Sequence, residues 1–256
     1  MRAELTAEIK SEARRQLAAE GAPGLSLRAV TRSLGMASSA IYRYFPSRDD
    51  LLTALIVDAY DAIGAAAEAA DAGCPVDDFG GRWQAVGRAI RTWSMANPHE
   101  YALVYGSPVP GYRAPEDTIG PASRVTLVLA GIVDGAARAG VLAGPPEYPV
   151  HPPLGSDVRA AVRLLTDIAF PHASDQVVVR AVAAWTQLFG MISFELFGHF
   201  HGVVDDMHPL FEQALLDMGG LVGLPPPRPG GGQTVATSAS TANEVPDGED
   251  EVWYLV

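Results

Sequence analysis

Apolar residues recur along this chain at the spacing of α-helices. A first helix is predicted over residues 3–20, because four-residue steps form an apolar stripe made of Leu5, Ile9, Ala13 and Leu17. Gly21 and the turn after it end this helix. Nothing alternates in the way that predicts strands, so the pattern indicates an all-α fold.

Two short helices are predicted next. Ser26 is a favoured N-cap residue for a helix over residues 27–34, which Gly35 ends. A third helix is predicted over residues 38–45, because Pro46 disfavours helical backbone in the residue before it.

Longer helices follow. Ser47 is predicted to cap a long fourth helix that runs to about residue 70. Beyond it the periodicity predicts helices at 78–96, 98–105, 116–139, 155–170, 174–201 and 207–222.

The chain therefore divides into three segments: a head (residues 1–60), a helical body (61–224) and a tail (225–256). The tail has almost no large apolar residues before its last four, so we expect it to be disordered.

Charge is distributed unevenly between these segments. The net charge is −12, yet the head carries eight basic and seven acidic side chains, whereas the rest carries ten and twenty-three. A near-neutral, arginine-bearing head on an acidic body suits a protein whose head alone meets a polyanion, although ordinary charge scatter explains these counts equally well. The single cysteine, Cys74, excludes a disulfide framework. Without an apolar signal segment or a membrane-length apolar run, we expect a cytoplasmic protein with no membrane contact.

The most informative stretch is residues 26–52, SLRAVTRSLGMASSAIYRYFPSRDDLL. Two short helices joined at Gly35 pack through few residues, and a helix-turn-helix of this kind places its second helix in the DNA major groove. Spacing alone leaves an ordinary helical hairpin as the alternative.

Four short motifs carry a family resemblance: LSLRAV (residues 25–30), LGM (34–36), AIYRYF (40–45) and SRDDLL (47–52). With them, residues 1–60 resemble the N-terminal DNA-binding domain of the TetR family of bacterial transcription regulators. The rest is similar to the family's helical regulatory domain, and residues 101–112 (YALVYGSPVPGY) look like one subgroup of it. The resemblance implies a homodimer that binds double-stranded DNA at a palindromic operator, associated with the nucleoid.

The resemblance also implies roles for individual residues. Phosphate contacts are expected from Ser26, Arg28, Tyr42, Tyr44 and Arg48. Base contacts are expected from Ser38, Ser39, Ala40 and Arg43. Arg43 has two alternatives, a phosphate contact and a solvated charge.

Two positions depart from the family pattern. Thr31 stands where the helix crossing usually has alanine, so its hydroxyl is expected to bond back to its own helix. Ala37 stands where the family usually has a residue that caps the recognition helix, so Ser38 or Ser39 is expected to cap instead.

The body fits a ligand-binding and dimerising domain better than an enzyme, because no nucleophile elbow, P-loop, dinucleotide motif or zincin motif occurs in it. One cluster resembles a metal site, formed by His199, His201, Asp205, Asp206 and His208. Two of these histidines are only two residues apart at a helix end, so we favour a loop and predict neither metal nor cofactor.

The helix predicted over 174–201 is apolar on most of its circumference. Such a helix needs partners on all sides, so we expect it to form a homodimer interface with the helix at 207–222, a large monomer core being the alternative.

A ligand pocket is expected from aromatic residues and methionine, and the candidates are Trp93, Met95, Tyr105, Trp185 and Phe189. Few charges suggest a small lipophilic or aromatic ligand. The family resemblance implies a repressor that such a ligand releases from DNA, and the alternative is a helical small-molecule-binding module without a DNA role.

Overall fold

The computed structural model describes residues 2–144 and 154–229, and every regular element in these residues is helical. The all-α prediction is confirmed. The α-helices are α1 (Arg2–Gly24), α2 (Leu27–Ser33), α3 (Arg48–Ala72), α4 (Phe79–Ala96), α5 (Pro98–Tyr105), α6 (Ile119–Arg138), α7 (Ser156–Ala169), α8 (Asp175–Leu196) and α9 (Met207–Val222). Short 3₁₀ helices lie at Ile41–Arg43 and Glu116–Thr118.

The head is organised around the buried stripe of α1. Ile9, Ala13 and Leu17 are buried as the periodicity predicts, and they pack with apolar residues of α2 and α3. Gly21 has φ 69° and ψ 177°, which breaks the helical backbone of α1 one residue after the predicted end. A positive φ of this kind suits glycine, so the sequence signal and the break agree.

The second helix of the motif is shorter than predicted. Instead of an α-helix over residues 38–45, the chain forms a turn and the 3₁₀ helix Ile41–Arg43, with the Tyr44 N–H bonded to the Ile41 carbonyl at 2.8 Å. No side chain caps this element. An uncapped start followed closely by Pro46 leaves room for one tight turn, so the expected cap at Ser38 or Ser39 is wrong.

The helix crossing keeps its tight packing despite Thr31. This residue is only 1% exposed, and its hydroxyl donates to the Arg28 carbonyl at 3.0 Å. The predicted bond to its own helix is confirmed, and it satisfies a polar atom at the centre of the head.

The long helix α3 joins the two cores. Ser47 caps it, with its hydroxyl oxygen accepting the Asp50 N–H at 3.1 Å. The buried residues Leu51, Leu52 and Leu55 belong to the core of the head, whereas Ile63 and Ala67 belong to that of the body. Any rotation of α3 therefore affects both.

In the body, α4 packs against α8 and α9. The indole N–H of Trp83 donates to the Leu215 carbonyl at 3.0 Å, and Arg88 forms an ion pair with Glu212. Gly87 permits this close packing, because a Cβ atom there would lie 2.5 Å from the Leu215 side chain.

Two predicted boundaries are wrong. Helix α8 ends at Leu196 rather than near residue 201, because the chain turns at Gly198 with φ 79°. The first residues of the predicted tail are also ordered: Pro225 contacts Gly80, and Arg228 forms an ion pair with Asp77 at 2.7 Å. Residues 230–256, the remainder of the tail, lie outside the described residues.

Candidate DNA-binding surface and ligand cavity

Ser26 begins the DNA-binding motif in the geometry of a helix N-cap. Its backbone is extended, with φ −138° and ψ 121°, but its hydroxyl makes no capping bond to α2. The hydroxyl therefore stands at a helix N-terminus, where backbone N–H groups favour a phosphate.

The basic residues of the head fall into two groups, and the four of the first group lie close to a carboxylate of the protein. Lys10 and Arg14 share Asp58, at 2.7 and 2.6 Å, and Arg15 pairs with Glu12 at 2.6 Å. Their positive charges are compensated locally, which lowers their value for binding DNA. The fourth is Arg48.

Arg48 holds the connection between α1 and α2 against α3. Its guanidinium donates to the carbonyls of Ala22 at 2.6 Å and Leu25 at 3.0 Å, and it lies 3.4 Å from Asp49. These bonds satisfy carbonyls next to the break at Gly21. These bonds give Arg48 a positioning role in the head, and its predicted phosphate contact stays a prediction.

The second group has no carboxylate partner within residues 2–144 and 154–229, and it consists of Arg2, Arg28, Arg32 and Arg43. Arg28 and Arg32 are exposed and four residues apart, so they share one face of α2. Arg2 reaches the second element of the motif, residues 38–45, which we call the recognition segment. There it donates to the Arg43 carbonyl at 3.4 Å and lies over the Tyr44 ring. The sequence analysis did not propose Arg2 or Arg32 as DNA contacts. The four-residue spacing from Arg28 could have indicated Arg32, but no comparable pattern indicated Arg2.

The other predicted DNA contacts lie on the same motif. Ser38, Ser39, Tyr42 and Arg43 are exposed, whereas Ala40 and Tyr44 are half-buried. The Tyr44 ring packs against the core of the head, so its hydroxyl end is the part that can reach outward.

A large cavity of about 790 Å³ lies where α3, α5, α6 and α8 meet, and we call it the inner cavity. Tyr105 and Trp185 line it, as predicted, and Phe189 packs on Tyr105 with ring centroids 4.5 Å apart. Trp93, Met95 and Phe189 are absent from its walls and pack against the core of the body. The sequence missed Tyr60, which lines the cavity together with Tyr112.

The lining of the inner cavity contains no charged side chain. Tyr60 donates to the Val104 carbonyl at 3.2 Å, and the hydroxyls of Tyr112 and Thr53 lie 2.9 Å apart. Burial raises the pKa values of Tyr60 and Tyr105, so both phenols are protonated at neutral pH.

A second cavity of about 770 Å³, the junction cavity, lies between the head and the body. Its walls include residues 21–23 of the head and residues 106–110 after α5. Tyr105 lines both cavities, so the loop after α5 separates them.

Helices α8 and α9 leave apolar side chains exposed. Phe194 is 53% exposed on α8, and Leu210 and Leu216 are 42% and 41% exposed on α9. By length and composition the segment Glu116–Arg138 and helix α8 are apolar enough to cross a membrane, but each packs into the core of the body.

The histidine cluster predicted as a loop lies beyond α8. Asp206 caps α9 by accepting the His208 N–H at 2.9 Å, and His199 packs on the Phe194 ring. Among the described residues no three acidic, histidine or cysteine side chains are grouped as metal ligands.

Two family models match separate parts of this chain. Residues 9–55 match the family described as bacterial regulatory proteins, tetR family, and residues 83–218 match the tetracyclin repressor-like C-terminal domain. The chain is 41% identical over 205 residues to the HTH-type transcriptional regulator Rv1816 of Mycobacterium tuberculosis, covering 78% of this chain and 83% of that protein.

Solved structures of regulatory proteins are also similar to this chain. The crystal structure of regulatory protein SCO4313 is similar with a TM-score of 0.68 and 35% identity, over 86% of this chain and 97% of that one. The TetR family regulator PfmR from Thermus thermophilus shares the fold, with a TM-score of 0.53 and 17% identity, over 84% and 96% of the two chains. This chain therefore belongs to the TetR family of bacterial transcription regulators, with an N-terminal DNA-binding helix-turn-helix.

Proposed function

We propose that this protein is a homodimeric repressor that binds a palindromic operator and leaves it when a small uncharged ligand enters the inner cavity. It acts in the cytoplasm on nucleoid DNA, without enzymatic activity, metal or cofactor. The observation that carries the DNA-binding part is the group of arginines without carboxylate partners, among the described residues, around the motif.

Four arginines per head are candidates for phosphate contacts: Arg2, Arg28, Arg32 and Arg43. Ser26, Tyr42 and Tyr44 add hydroxyls for the same backbone. Ser38, Ser39 and Ala40 remain the candidates for base contacts, and Arg43 is the one arginine proposed for both tasks. Arg48 is left out because its donors are used within the head.

Dimerisation is supported by the exposed apolar residues of α8 and α9. A palindromic operator needs two heads at a fixed separation of about one helical turn of DNA, roughly 34–36 Å. An interface built from two body helices of each subunit sets that separation.

Ligand release is supported by the wall that the inner cavity shares with the head. Tyr112 lines the cavity, packs against the core of the head and bonds to Thr53 of α3. A ligand that moves Tyr112 therefore acts directly on the helix that carries the DNA-binding motif. Release requires that the ligand bind more tightly to the form with the wrong head spacing.

The test is an electrophoretic mobility shift with DNA from upstream of the protein's own gene and a scrambled duplex of equal length. We expect one shifted species with two subunits per duplex and at least about a thousandfold preference for the specific site. Arg43→Ala should reduce that preference by about 1–3 kcal/mol if Arg43 contacts a base. Equal binding of both duplexes would contradict the proposal.

A further inference from the structure

The chemistry of the inner cavity defines the class of its ligand. We propose that the ligand is an uncharged aromatic molecule with a hydrogen-bond acceptor, typically a carbonyl oxygen, that accepts from the Tyr105 hydroxyl. This inference rests on the proposed role of the inner cavity and names what the cavity binds.

The absence of charge in the wall excludes most ionic ligands. A carboxylate or ammonium group bound against the wall of this open cavity would lose part of its hydration without gaining an ionic partner. The arginine in the neighbouring turn of α6, Arg124, does not supply one, because it forms ion pairs with Asp61 and Glu68, both at 2.7 Å. The volume of about 790 Å³ is in the range of small-molecule sites.

Two aromatic residues of the cavity wall, Tyr105 and Trp185, are joined by a third ring packed behind the wall. Phe189 lies between the other two, with its centroid 4.5 Å from Tyr105 and 5.9 Å from Trp185. Tilted and edge-on ring pairs of this kind extend readily to a further ring. The wall therefore favours an aromatic ligand over a flexible aliphatic chain.

The polar group that selects the ligand is the Tyr105 hydroxyl. The neighbouring phenols are already bonded: Tyr60 to Val104, Tyr101 to Ser193 and Tyr112 to Thr53. Tyr105 has ring contacts but no hydrogen bond to any described residue.

Since burial raises its pKa, the Tyr105 phenol keeps its proton and is available as a donor. An unpaired donor in the wall calls for an acceptor on the ligand.

The test uses two fluorescent probes with the same ring system. Prodan, 6-propionyl-2-(dimethylamino)naphthalene, is uncharged and carries one ketone; 6-(dimethylamino)-2-naphthoate carries a carboxylate in its place. We expect saturable binding of one Prodan per chain, and binding of the naphthoate at least about thirtyfold weaker because its charge must be desolvated. Equal or tighter binding of the naphthoate would overturn the uncharged class, as would a failure of Prodan to bind.

Matched variants then test the donor. Tyr105→Phe should weaken Prodan binding by about three- to tenfold and shift the emission of the bound probe to shorter wavelength, because the ketone loses a hydrogen bond. Tyr101→Phe is the control and should change neither, since its hydroxyl bonds to Ser193. If Tyr105→Phe behaves like this control, Tyr105 contributes only its ring and the acceptor requirement is wrong.

A second pair of variants locates the probe. Ala122 lines only the inner of the two cavities and Ala102 only the junction cavity. We expect Ala122→Phe to abolish Prodan binding and Ala102→Phe to leave it unchanged; the reverse result would overturn the assignment to the inner cavity. Mobility shifts with and without Prodan separate this inference from the proposed function, since Prodan can bind as expected and still not release DNA.

Discussion

At the scale of single residues, the proposed DNA-binding surface depends on which arginines form ion pairs with carboxylates of the protein. The head carries eight basic side chains in the sequence, and their count alone does not distinguish a DNA-binding surface from charge scatter. Packing separates them, because Asp58 neutralises Lys10 and Arg14 while Arg28 and Arg32 stay exposed. Partners 44 to 48 residues away in sequence cannot be predicted from local spacing.

Arg28 and Arg48 provide a direct comparison of the two groups. We expect Arg28→Gln to weaken binding to all sequences and to reduce the salt dependence by about 0.9 per charge removed, with little effect on thermal stability. Arg48→Gln should lower stability by about 1–3 kcal/mol, because two carbonyls lose a charged donor. Thermal melts and DNA titrations of both variants are the measurement. Unchanged stability of Arg48→Gln together with a reduced salt slope would restore Arg48 as a phosphate contact.

A second prediction at this scale concerns pH. The hydrogen bonds from Arg88 lower the pKa of Glu212, so the stabilisation is present above the unfolded-state pKa of about 4.3 and is lost as pH falls through the lower folded value. Glu212→Gln should therefore be less stable than the parent at pH 7, by about 1 kcal/mol or less because Arg88 is 45% exposed.

The difference should shrink as the pH falls below about 4.3 and vanish below the lowered folded pKa of Glu212, as measured by chemical unfolding at several pH values. Asp205→Asn is the control, since Asp205 is exposed and pairs with no described residue. A stability difference for Glu212→Gln that is constant from about pH 7 to about pH 3 would show that the ion pair is not its origin.

At the scale of elements, the helices were predictable where apolar periodicity and end signals agreed. Ser47, followed by acidic residues, marked the start of α3, and Gly21 marked the break in α1. The recognition segment was not predictable, because its sequence fits a helix and only the missing cap and Pro46 limit its length. The end of α8 was missed for a related reason: Phe197 and Phe200 continue the apolar pattern beyond the helix.

The proposed dimer interface yields a prediction for α8 and α9. Leu216→Glu or Phe194→Glu should weaken self-association by about a hundredfold, because a carboxylate would be buried in an apolar interface. Val76→Glu is the control, as Val76 is 78% exposed between α3 and α4, away from both helices. Light scattering over a concentration series measures the effect, and dimers that resist both interface variants would place the interface elsewhere.

At the scale of the whole molecule, the predicted division into head and body rested on the helix-turn-helix motif, because the change in charge did not decide it. The ligand cavity followed only in part, because Tyr105 and Trp185 belong to helices far apart in sequence and the loop after α5 brings Tyr112 to the same wall. Trp93 and Met95 share the composition of a pocket but pack into the core. The sequence indicates which residue types can line a pocket. It does not indicate which of these side chains face the cavity, because that depends on the packing of several helices.

At this scale, α3 is also the proposed connection between ligand binding and DNA binding. The bond between Tyr112 and Thr53 and the burial of both ends of α3 in separate cores make the helix a rigid connection. Under the proposed mechanism, a ligand that changes the wall of the inner cavity therefore moves the head. This coupling can regulate DNA binding only if the head binds a defined DNA site.

Salt-dependent titration of the operator duplex therefore tests the central claim most directly. Four arginines in each of two heads set an upper limit of about eight neutralised phosphates, so log K against log salt should have a slope between about −4 and −7. The scrambled duplex should bind at least about a thousandfold more weakly at physiological salt. A slope shallower than about −2, or equal affinity for the two duplexes, would contradict specific DNA binding by this surface.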